Sequence, residues 1–101
     1  AADFSSLMAC PEALPTNDAG FCASFETAAF CRCAGSIPGC KSLSMSKIYS
    51  LMVAKYGNLT NACNAQHDTD AQTCIDDWNC YRNGGVDSHG EACSSTQKSC
   101  A

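Results

Sequence analysis

The chain has 101 residues, ten of them cysteine, and its six basic and ten acidic side chains leave a net charge of −4. That length holds one small domain, the cations are too few for a nucleic-acid footprint, and the largest apolar run, Leu51-Met52-Val53-Ala54, is too short for a membrane span. Alanine and cysteine supply 25 of the 46 apolar residues, so covalent cross-links must replace part of the drive that larger side chains would give.

In chain order, a short helix is expected over residues 3–9. A longer one is expected over 18–33, after a Pro15-Thr16-Asn17 turn that offers a cap. On that helix Cys22, Ala29 and Cys33 share one line with Phe21 and Phe25 beside them, while Cys31 faces the other way. The strongest helical pattern covers 42–56. Met45, Ile48, Tyr49, Met52, Val53 and Tyr56 form one apolar stripe, Ser42 or Ser44 can cap it, and Gly57 can end it. This segment contains no cysteine and must dock by packing alone. A shorter helix is expected over 58–66 and another over 70–81, stopped by Asn83-Gly84-Gly85. Cys74 and Cys80 lie about 240° apart around that last helix and should tie it to two neighbours. Trp78 is expected to pack over a disulfide in the core. Residues 86–101 read as a loop anchored at Cys93 and Cys100. With no alternating Val, Ile and Thr runs, the expected fold is all-α, a single disulfide-cross-linked domain over residues 1–101 with three to five helices and an irregular C-terminal tail.

The ten cysteines are Cys10, Cys22, Cys31, Cys33, Cys40, Cys63, Cys74, Cys80, Cys93 and Cys100. An even number at this density reads as five disulfides formed in an oxidising compartment, with the connectivity left open. Zinc clusters usually show two C-x₂₋₄-C hooks, sometimes with paired histidines, whereas the sole close pair here is Cys31-Arg32-Cys33, and His67 and His89 stand far apart. The start at Ala1-Ala2-Asp3-Phe4 suits a mature product after signal cleavage, so secretion to an extracellular site is expected.

Candidate chemistry is sparse. No G-x-S-x-G elbow is present, and paired cysteines leave no thiolate nucleophile. Asp76 and Asp77 point about 100° apart on a helix and cannot easily share an ion. The segment Asp87-Ser88-His89-Gly90-Glu91 can fold back through Gly90, yet it lacks the EF-hand pattern. Neither a metal site nor a cofactor is assigned.

Two local resemblances bear on function. Cys63-Asn64-Ala65-Gln66-His67-Asp68 resembles the helix of secreted phospholipases A2, in which a His-Asp pair follows a cysteine and the histidine acts as general base. That resemblance implies a small hydrolase using His67. It covers about six residues, the spacing from cysteine to histidine differs by one, and no glycine-rich calcium loop precedes it. Cys22-x₈-Cys31-Arg32-Cys33-x₆-Cys40 is similar to the C-x-C segment of fungal CFEM domains, which are exported and helical, some of them haem-binding. Glu26 and Thr27 stand where those domains carry their ligand aspartate, and the later cysteines depart from the pattern.

Charge is divided along the chain: residues 1–40 carry −3, residues 41–60 carry +3 with no acid, and residues 61–101 carry −4. Lys41, Lys47 and Lys55 therefore mark the cysteine-free helix, which is either a solvated face or a recognition element. Asn58-Leu59-Thr60 is an N-glycosylation acceptor sequence placed just after it. The leading expectation is a secreted non-enzymatic recognition protein (signal, pheromone-like factor, toxin or effector) that binds a receptor or host protein through Lys47 and Lys55. The alternatives are a small carrier of a lipid or haem-like ligand and, third, the His67 hydrolase.

Overall fold

The computed structural model describes residues 10–36, 43–66, 70–94 and 98–100, with backbone alone for 34–36. Within them lie four helices: α1 (Phe21–Ser36), α2 (Met45–Tyr56), α3 (Leu59–Asn64) and α4 (Ala71–Asn83). No strand occurs among the described residues; a lone antiparallel bridge joins Val86 to Ala92. The all-α cross-linked expectation holds. The helix expected over 3–9, Met8, Cys40, Lys41, Ser42, His67 and Asp68 lie outside the described residues.

Local chemistry sets each boundary. Ser44 caps α2 by accepting the Lys47 N–H, and Gly57 closes it at φ 94°, a left-handed value that costs glycine little. Asn58 caps α3 by accepting the Asn61 N–H at 2.7 Å. Asp70 caps α4 through the Thr73 N–H, and Gly84 ends it. The first helix begins three residues later than its sequence suggests. Thr16 and Asn17 do not cap it, because their side chains donate instead to Asp87 at 2.9 Å and Glu91 at 2.8 Å. Asp18 meanwhile closes its own turn by accepting the Gly20 N–H.

Four disulfides join described pairs: Cys10–Cys31, Cys22–Cys100, Cys63–Cys74 and Cys80–Cys93. Cys33 is disulfide-bonded as well, to a partner outside the described residues. The divergent faces of α1 are used as expected, Cys31 reaching the N-terminal segment and Cys22 the C-terminal tail. Cys74 and Cys80 likewise tie α4 to α3 and to the following loop.

One buried cluster draws on all four helices: Phe21, Phe25, Ala29 and Cys33 from α1, Met45 and Ile48 from α2, Cys63 from α3, and Cys74, Trp78, Cys80 and Tyr81 from α4. Trp78 sits among rings: edge-on to Phe25 with centroids 4.9 Å apart, and tilted against Tyr49 at 5.4 Å. Such pairs add about 0.5–1.5 kcal/mol each beyond area burial. The aromatic cluster offsets the shortage of aliphatics and seats α2, which no described bridge reaches. The loop after α4 is stitched back to the segment before α1, where the Thr16 carbonyl accepts the Ser94 N–H, and the tail is tied to α4, where the Tyr81 carbonyl accepts the Cys100 N–H.

Candidate functional site

Where α1, α2 and α4 meet, their apolar faces do not close completely. Ala29, Ile48, Met52, Tyr56, Cys74 and Trp78 wall a cleft of about 50 Å³, with Arg32, Lys55 and Gln66 among its polar lining. The α2 stripe explains it: Met45 and Ile48 are buried, whereas Met52 and Tyr56, one and two turns further on, are only half-buried and reach the opening. Small-molecule sites are roughly 300–1,000 Å³. At about 50 Å³ among the described residues, the cleft is on the scale of one protruding side chain.

Of the two expected contact lysines, the structure brings Lys55 to the cleft, where its ammonium lies 5.4 Å from the Tyr56 ring centroid. Lys47 is exposed in the first turn of α2 and does not line the cleft. Asn58 is exposed, as its sequon suggests, and its amide oxygen is engaged in capping α3. Arg32 joins the site from α1, and composition gave no reason to single it out. A cation between two bridged cysteines on a packed helix is the signal that could have marked it.

The opposite side of α4 is acidic. Asp76 and Asp77 are both buried, yet they serve different surroundings. Burial pushes the Asp77 carboxyl up to about 7; the Arg32 charge draws it down, while Asp76, Asp87 and Glu12 push it further up. Desolvation would also raise Asp87, but hydrogen bonds from the Glu91 N–H, the Thr16 hydroxyl and the His89 N–H, with the nearby His89 ring, hold it below the usual carboxylate value. Burial and its hydrogen bond to Glu26, 2.7 Å long, keep the Tyr81 phenol protonated well above the ordinary tyrosine range.

No family model, characterised protein or solved structure matches this chain. No helix among the described residues is long and apolar enough to cross a membrane.

Proposed function

We propose that this chain is a secreted, non-enzymatic recognition protein that docks a protein partner at the α1–α2–α4 cleft. The observation that carries the reading is an apolar cleft sized for one side chain, with Arg32 and Lys55 in its lining on an otherwise acidic molecule. The occupant that fits is a segment with one apolar anchor flanked by carboxylates, on a receptor or host protein. A central desolvated anchor with charged surroundings is how most interfaces concentrate their binding energy. The disulfide density supports an extracellular site of action. Because α2 is seated by packing, it can adjust on docking without breaking a covalent bond.

The test starts from peptides selected on the immobilised full chain out of a random twelve-residue library. Binders are expected to share one Leu, Phe or Trp beside Asp or Glu, and Met52→Asp is expected to abolish their binding. Selection of basic peptides, or binding unchanged by Met52→Asp in a folded protein, would overturn the reading.

A further inference from the structure

On the side of α4 away from the cleft, we propose that Asp76, Asp87 and His89 form a binding site for a divalent transition-metal ion of the zinc class. One ligand atom from each residue can be chosen so that all three lie within 4.8 Å of one another. His89 Nδ1 stands 3.7 Å from Asp76 Oδ2. Ligands held about 2.0–2.2 Å from a shared ion lie between roughly 3 and 4.4 Å apart, so the His89–Asp76 pair already stands at ligand spacing and the set of three needs only a small contraction around an ion. The His89 side chain is 73% exposed and has room to adjust toward an ion, whereas that of Asp76 is 9% exposed.

The two carboxylates are already aimed. Asp76 Oδ1 accepts from Gln72 Nε2 at 3.2 Å and from the Ser88 N–H at 3.3 Å, and Oδ2 accepts the Ser88 hydroxyl at 2.8 Å. Asp87 Oδ1 accepts the His89 and Glu91 N–H groups at 2.8 and 3.0 Å, and Oδ2 accepts the Thr16 hydroxyl at 2.9 Å. An ionised carboxylate offers about four acceptor sites. Three are filled on each aspartate by these bonds, and the remaining one lies on Oδ2 in both cases. Outer donors of this kind orient metal-ligating carboxylates. The Cys80–Cys93 bridge and the Val86–Ala92 pairing hold the loop that carries Asp87 and His89 against α4.

The donor set selects the ion. An imidazole with two carboxylates suits zinc, cobalt, nickel or manganese, whereas calcium and magnesium prefer all-oxygen shells.

The experiment is calorimetric titration of the full chain with Zn²⁺ at pH 7.5, repeated with Co²⁺ while visible absorption is followed. One equivalent is expected to bind, and millimolar Ca²⁺ should not displace it. His89→Ala should weaken binding by about tenfold or more with an unchanged circular dichroism spectrum, and His67→Ala should leave it intact. Absence of saturable Zn²⁺ binding, wild-type affinity in His89→Ala, or loss in His67→Ala would each overturn the proposal.

Discussion

The guanidinium of Arg82 lies 3.9 Å above the ring of Tyr49, joining the last turn of α4 to the middle of α2. The same ring leans on Trp78. Tyr49 is thus held between a cation and an indole, and it fastens the helix that no described disulfide reaches.

Tyr49→Ala is therefore expected to be costly for a half-buried side chain. Full truncation of a buried aromatic costs about 3–5 kcal/mol, so roughly 2–3 kcal/mol is expected here. Arg82→Ala should cost only about 0.5–1 kcal/mol, the range of an exposed cation–π contact. Urea denaturation of both variants checks the order.

Tyr81 gives a pH signature. Its folded phenol holds the proton more tightly than the unfolded phenol, whose pKa is about 10. The stability this supplies is intact below that pH and declines as pH rises beyond it. Alkaline absorbance titration should show one late-ionising tyrosine, and Tyr81→Phe should remove that phase. The same variant should lose about 1–2 kcal/mol at pH 7 by taking the donor from Glu26.

The helices were legible because their signals are local. The stripe Met45, Ile48, Tyr49, Met52 follows one helical face, and Ser44, Asn58, Asp70 and Gly84 cap or end helices at the places turn chemistry gives them. The first helix was mis-started by three residues because Thr16 and Asn17 answer to partners more than seventy positions away. The cleft needs α1 and α4 to converge on α2, which no spacing encodes. Asp76 was weighed only with its neighbour Asp77, whereas its spatial partner is His89, brought back across α4 by the Cys80–Cys93 loop.

The tail is expected to depend on one bridge. Cys22–Cys100 spans 78 positions, and disulfides of small secreted domains contribute roughly 2–5 kcal/mol. In the double variant Cys22→Ala/Cys100→Ala, the helical circular dichroism should persist at 20 °C or so. Limited proteolysis should then cut first beyond Cys93. Wild-type protein, denatured without reductant, should show no free thiol.

Charge reversal on α2 should separate binding from stability. Lys47 occupies the third helical position after the Ser44 cap, where Glu completes a reciprocal capping pair and favours the helix. Lys55 lies in the last turn, where Glu opposes the dipole. Each effect is about 0.3–1 kcal/mol and their signs oppose. The double variant should melt near wild type, yet associate more slowly with an acidic library-selected peptide and with a flatter salt dependence.

The most direct measurement of the recognition account is a nitrogen-15 NMR titration of the full chain with such a selected peptide. The account predicts shift changes concentrated at Ala29, Arg32, Ile48, Met52, Lys55 and the Trp78 indole N–H, with little change at Asp87 to Glu91. Shifts centred instead on the acidic side of α4, with the Trp78 indole unmoved, would contradict it.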